Sequence, residues 1–152
     1  VPIGVIGTRE ASQAERDAAF AVGAGLASLG LTMLCGGKGG VMEAACAGNA
    51  SAGGLSIGLL PDDDWQAANP YVAVPIATGI GLARNAMIAR AALALIAVGG
   101  GYGTLSEIAF GLQFGRPVLT LCNAPAVAGT QPCTGPDDAL SAICRIVLAL
   151  PA

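Results

Sequence analysis

From Leu93 to Gly115 the chain passes from six apolar residues, Leu93 to Val98, into Gly99-Gly100-Gly101-Tyr102-Gly103-Thr104-Leu105-Ser106-Glu107, and then into a helical pattern that Gly115 closes. This order reads as strand, glycine loop, helix. Four glycines in five positions let the backbone turn sharply and approach a ligand with no Cβ in the way. The helix that follows offers unpaired N–H groups and the positive end of its dipole. Such a place suits an anion, most often a phosphate, and makes Gly100, Gly101, Gly103 and Thr104 candidate binding residues. The same kind of turn also serves packing alone. Glu107 is open to two roles: Thr104-x-x-Glu107 has the spacing of a capping box, and a carboxylate one turn into such a helix can also take part in chemistry.

The apolar runs along the chain are five to eight residues long and are separated by glycine or polar turns. None reaches the roughly 18 residues of a membrane span. With 54% hydrophobic and 11% charged residues in 152, the composition suits one domain, residues 1–152, built on a parallel sheet buried on both faces. The surplus of apolar residues points to a subunit interface.

Taken in order, Pro2 to Gly7 reads as a strand and Thr8-Arg9-Glu10 as a turn. Ser12-Gln13-Ala14-Glu15 is a capping box, followed by Ala19, Val22, Leu26 and Leu29 at helical spacing and a stop at Gly30. Leu31 to Cys35 is a second strand, followed by the turn Gly36-Gly37-Lys38-Gly39-Gly40 and a helix from Val41 to Ala50. Gly36, Gly37 and Gly39 are therefore candidates for the same anion. Neither Gly4-x-x-Gly7 nor the Gly36 turn is a nucleotide fingerprint of the standard kinds: the first lacks the G-x-G-x-x-G spacing, and no Ser or Thr follows Lys38 as a Walker A loop requires. Lys38 is either a second anion contact or a solvated turn residue.

Gly54 to Leu60 is a third strand, and Tyr71 to Pro75 a short extended segment. Between them Asp62-Asp63-Asp64 is a cation site or a solvated acidic turn, and the latter is the simpler reading. The following helix carries Ala83, Met87 and Ala91 on one face, and Arg84 about one turn in, where a guanidinium can reach across the carboxyl edge of the sheet toward the later glycine loop. Pro117 to Cys122 is a strand, Asn123 to Gly135 a loop, and Pro136 opens a terminal helix with Leu140, Ile143 and Val147 on one face. Strands alternating with helices predict a Rossmann-like doubly wound α/β sheet with helices on both faces. Ligands in such sheets bind beyond the carboxyl ends of the strands, where both glycine turns fall.

The net charge of −3 and seven scattered Lys and Arg residues disfavour a nucleic-acid polymer as partner, since a groove for one needs clustered positive charge. The absence of histidine removes imidazole chemistry and the commonest metal ligand; no metal is expected. Five cysteines without a C-x-x-C pair fit reduced thiols in a cytoplasmic protein, Cys35 included as strand-end packing, and the N-terminus has no targeting pattern.

Gly100-Gly101-Tyr102-Gly103-Thr104-Leu105-Ser106-Glu107 resembles the P-G-G-x-G-T-x-x-E motif of the LOG phosphoribohydrolases, often misnamed lysine decarboxylases. Gly36-Gly37-Lys38-Gly39-Gly40-Val41-Met42-Glu43-Ala44 and Gly81-Leu82-Ala83-Arg84-Asn85 fall in the order that family has. The resemblance covers nearly the whole chain. It implies that Arg84 and Glu107 serve cleavage of the N-glycosidic bond of nucleoside 5′-monophosphates, with the 5′-phosphate in the glycine loop. It also implies a homodimer, with the helices around Ala83 to Ala91 and Thr104 to Phe114 at the interface. Three positions depart from the motif: Gly99 stands for its proline, Ser106 for its first glutamate and Asn85 for the lysine after the arginine. With these the chain is similar to the LOG-like branch that contains molybdenum cofactor carrier proteins. Two functions follow as expectations: a binding protein for a nucleoside monophosphate or molybdenum cofactor, with no cofactor required for its own action, or a phosphoribohydrolase. Lysine decarboxylation is not expected, because the one lysine, Lys38, lies in a glycine turn.

Overall fold

A computed structural model describes residues 1–151. Seven strands form one parallel sheet in the order β4-β3-β2-β1-β5-β6-β7. They are β1 Ile3–Gly7, β2 Met33–Cys35, β3 Ser56–Leu60, β4 Val74–Ala77, β5 Leu95–Val98, β6 Val118–Leu121 and β7 Gln131–Pro132. Four α-helices lie between strands, α1 Gln13–Ser28, α2 Val41–Ser51, α3 Arg84–Ala91 and α4 Tyr102–Gln113, and α5 Pro136–Leu148 follows the last strand. The fold is the predicted doubly wound α/β sheet.

The sheet is buried on both sides because its central strands carry apolar residues at every position. Ile3 and Val5 of β1, with Ile96 and Val98 of β5, pack with α1, α2 and α5. The alternate residues Ile6, Leu95 and Ala97 pack with Ile88 and Ala89 of α3 and Ile108 of α4. Each fully buried Val, Leu or Ile side chain among these contributes about 1.5–3 kcal/mol. On the first face α1 and α2 approach closely, since a Cβ on Gly23 would strike the backbone of Ala45 and one on Gly48 the backbone of Phe20.

Helix α1 begins at the predicted capping box: Ser12 Oγ accepts from Glu15 N at 3.2 Å, and Glu15 Oε2 accepts from Ser12 N at 2.7 Å. The second box predicted from spacing, Thr104-x-x-Glu107, does not exist. Helix α4 starts at Tyr102 with Gly101 as its cap and no side-chain cap bond, so Thr104 is already in the first turn and Glu107 lies beyond it. The glycines carry the chain into the helix earlier than the threonine would.

Other expectations shift. The face of α3 that is buried is Arg84, Asn85, Ile88 and Ala89, whereas Ala83, Met87 and Ala91 face solvent; a polar pair took the inward positions that apolarity alone would have given to the other stripe. The extended segment predicted at Tyr71 to Pro75 forms as β4, Val74–Ala77. The loop after β6 contains β7, a two-residue edge strand too short to show a period of two. Leu29 caps α1 and is exposed rather than facing inward. In α5 the fully buried stripe is Ala139, Ala142 and Ile143, with Leu140 and Val147 at its margin.

Candidate functional site

The strand order reverses at β1: β2, β3 and β4 build out on one side, and β5, β6 and β7 on the other. The loops leaving the carboxyl ends of β1 and β5 therefore diverge, and a crevice opens between them. It is a cleft of about 430 Å³, within the usual size of small-molecule sites. Its walls are Ile6 to Glu10 from the end of β1 and its loop, Gly36 beyond β2, Met42 of α2, Leu82, Arg84 and Asn85, then Gly101 to Thr104 and Glu107.

Of the nine residues predicted for the site, the structure brings six to this cleft: Gly36, Arg84, Gly101, Gly103, Thr104 and Glu107. The other three shape the turns. Gly37 (φ +71°) packs against Leu60 and Gly58, Gly39 lies by Glu43, and Gly100 (φ +124°) sits over the Thr104 side chain. Sequence reasoning passed over Thr8, Arg9 and Glu10, read only as a turn. The available signal was their place directly after the first strand of a parallel sheet, which puts them at the ligand edge.

Arg84 opens α3 and is 4% exposed. Its guanidinium lies over Gly36, where a Cβ would sit 2.5 Å from Nη1. Nη1 donates to Asn85 Oδ1 at 2.9 Å and stands 3.5 Å from Glu107 Oε1, while the buried Nε has no protein partner. Burial pulls the Arg84 pKa down, opposed by the charge of Glu107; a guanidinium keeps its proton in any case. Glu107, 6% exposed, responds more. Burial raises its carboxyl to about 7, and the nearby Arg84 offsets only part of that.

The first turn of α4 faces the same cleft with its N–H groups uncapped by any side chain. At the lip, Tyr102 is 92% and Leu82 72% exposed. The arrangement can take an anion against the helix start and Arg84, a protonatable carboxyl beside it, and a flat or apolar moiety toward the lip.

Lys38 does not enter the cleft walls. Its Nζ donates to Asp62 Oδ2 at 2.8 Å and to the Ala67 carbonyl at 2.9 Å, and this contact holds the Asp62 carboxyl below its usual range. Asp64 accepts from Gln66 N at 2.9 Å to cap a 3₁₀ turn, Trp65–Ala67. Asp62 and Asp64 are thus spent on structure, Asp63 is exposed, and no group of three or more His, Cys, Asp or Glu residues among those described could hold a metal ion. Cys35 is buried against Cys46, Sγ to Sγ 3.5 Å, and that contact together with burial raises its pKa well above the ordinary thiol value. All five cysteines are free. No helix among the described residues is long and apolar enough to cross a membrane. A second cleft, about 630 Å³ between β6 and the loop to β7, has no charged residue in its walls.

The SLOG cluster4 family model matches residues 1–137. A functionally uncharacterized protein of Archaeoglobus fulgidus is 40% identical over 139 residues, 91% of each chain. Among solved structures, the molybdenum cofactor binding protein of Rippkaea orientalis is 32% identical, with a TM-score of 0.91 over 96% of this chain and 97% of its own. The molybdenum cofactor carrier protein of Chlamydomonas reinhardtii is 31% identical, with a TM-score of 0.89 over 98% and 99%. With the sheet, both glycine turns and the cleft all inside the matched region, the chain belongs to the SLOG cluster4 family.

Proposed function

We propose that the protein binds a phosphorylated small molecule with its anionic end against the first turn of α4 and Arg84, and that it acts as a carrier of molybdenum cofactor. The observation that carries this reading is the coincidence, in one cleft, of an uncapped helix start with Arg84 and Glu107, the two charged residues that are buried among those described. A buried guanidinium whose partners within the chain are Asn85 Oδ1 at 2.9 Å and Glu107 Oε1 at 3.5 Å is costly unless a ligand takes up its remaining hydrogen-bonding capacity. The whole-chain likeness to one protein that binds molybdenum cofactor and one that carries it supports that cargo, a phosphorylated pterin, over other phosphorylated molecules. Free thiols throughout support a cytoplasmic setting. The deciding experiment is native mass spectrometry of protein purified from a host that makes the cofactor. A bound pterin is the expected result, and a bound nucleoside monophosphate would redirect the reading.

One observation favours the alternative, a phosphoribohydrolase. Glu107, at about 7, is poised to exchange a proton near neutral pH. Incubation with a panel of nucleoside 5′-monophosphates, read by release of free base, tests it. If the activity exists, Glu107→Gln should lose about 10²–10⁴-fold in rate; no release from any substrate removes the alternative.

Leu82 in the turn before α3, with Met87 of α3 and Leu105 and Phe110 of α4, is exposed to solvent, which supports self-association through these helices. Light scattering should give at least twice 14.8 kDa, and Met87→Glu with Phe110→Glu should reduce it to the monomer. A monomeric wild type would sink this part of the reading.

A further inference from the structure

Arg84 has two oxygen neighbours and is bonded to the neutral one. Nη1 donates to Asn85 Oδ1 at 2.9 Å, yet the same nitrogen stops 3.5 Å short of Glu107 Oε1. A guanidinium and a carboxylate that are free to meet close to about 2.7–2.9 Å, so something holds these two apart.

The orientation of the Asn85 amide accounts for it. Ser106 Oγ donates its one hydrogen to the Gly103 carbonyl at 2.6 Å, so toward Asn85 the hydroxyl can only accept. It accepts from Asn85 Nδ2 at 3.1 Å. That bond decides which end of the amide faces α4 and leaves Oδ1 directed at Arg84. A run of three hydrogen bonds thus links the first turn of α4 to the guanidinium.

We propose that Asn85, oriented by Ser106, is the positioning residue of the cleft: it holds the Arg84 guanidinium beside Glu107 instead of on it, which keeps the guanidinium free for the anionic group of the ligand. The purpose assigned to the pair rests on the anion-binding reading above. The pair also connects two departures from the LOG motif. Asn85 and Ser106 stand where that motif has a lysine and a glutamate, and in this chain the two neutral residues bond to each other. The other charged or titratable groups around Arg84 are Arg9 and Glu10 from the loop after β1, Cys35 at the end of β2, Asp62 beyond β3 and Tyr102 at the start of α4; none of them bonds to the guanidinium.

The test uses the whole protein in four forms: wild type, Asn85→Leu, Ser106→Ala and Ser106→Thr. The titration of the Glu107 carboxyl is followed by carbon NMR, with its signal assigned by loss in Glu107→Gln. In Asn85→Leu and in Ser106→Ala the guanidinium is released onto Glu107, and the midpoint should fall by about one pH unit or more. Ser106→Thr keeps the hydroxyl and should keep the wild-type midpoint. By calorimetry, affinity for AMP or inorganic phosphate should fall about tenfold in Ser106→Ala, although Ser106 does not touch Arg84, and adding Asn85→Leu should cost little more, as for residues that act as one unit. An unchanged Glu107 midpoint in Ser106→Ala overturns the proposal. A shifted midpoint together with no binding of either probe to wild type upholds the positioning and overturns the anion-binding reading alone.

Discussion

Gly36→Ala isolates the contribution of Arg84 without touching it. Gly36 is not among the positive-φ residues, so alanine meets no backbone strain there. Its Cβ would instead lie 2.5, 2.7 and 2.8 Å from Nη1, Nη2 and Cζ of Arg84. Restoring ordinary contact requires the guanidinium to move by about 1 Å. The obstacle is the far end of a flexible side chain, so the fold gives way there cheaply. Alanine also removes unfolded-state freedom, a gain of about 0.4–1 kcal/mol, and Tm should stay within about 3 °C of wild type. Function should not survive so well. A charge-assisted hydrogen bond from Arg84 to the ligand is worth about 1.5–3 kcal/mol, so losing it lowers affinity by roughly tenfold to a hundredfold. The assay is calorimetric titration with AMP and with molybdenum cofactor, beside a thermal melt. The control is Gly37→Ala, one residue along, where φ is +71° and Leu60 Cδ2 would be 2.7 Å from the new Cβ; strain of about 1–2 kcal/mol should lower Tm and leave affinity largely intact. If Gly36→Ala melts and binds as wild type does, the reasoning fails, because Arg84 then either makes no contact with ligand or relocates without cost.

Three further outcomes are expected. Glu107 holds its proton up to about 7 when folded, against 4.5 for an ordinary glutamate carboxyl; the folded state binds more protons across that window, so stability falls as pH rises through it, by about 3 kcal/mol in all. Urea melts at pH 5 and pH 8 should show this loss in wild type and not in Glu107→Gln, and parallel behaviour would refute it. Lys38→Met should raise amide exchange across residues 62–69, which Lys38 tethers through Asp62 and Ala67, while affinity for phosphate stays unchanged; a large loss of affinity would return Lys38 to the site. Gly99→Ala should destabilise by about 1–2 kcal/mol from left-handed strain alone, because Gly99 has φ +54° and a Cβ there would run into Glu15, the capping-box carboxylate of α1; a melt equal to wild type would show that both elements adjust freely.

Gly99 also shows where legibility in the sequence ended. Gly99 stands where the motif has proline, and its φ of +54° is closed to proline, a fact of backbone geometry that one sequence does not display. What the sequence determined by itself was local: the alternation of short apolar runs with helical patterns, the Ser12 capping box, and glycine turns after the second and fifth strands. These depend on neighbours within a few residues, where period and side-chain chemistry are decisive. They were enough to name the parallel sheet and its ligand edge; Arg84 and Glu107 stayed open between surface or capping roles and the site until the resemblance to the LOG motif paired them. Tertiary structure decided the rest. Thr104 and Glu107 have capping-box spacing, and only the start of α4 at Tyr102 separates that reading from the one observed. Thr8 to Glu10 join the site because the sheet order turns at β1. Asn85 and Ser106 lie 21 residues apart, and their hydrogen bond exists because α3 and α4 pack on the same face of the sheet, a nonlocal contact with no periodicity to announce it.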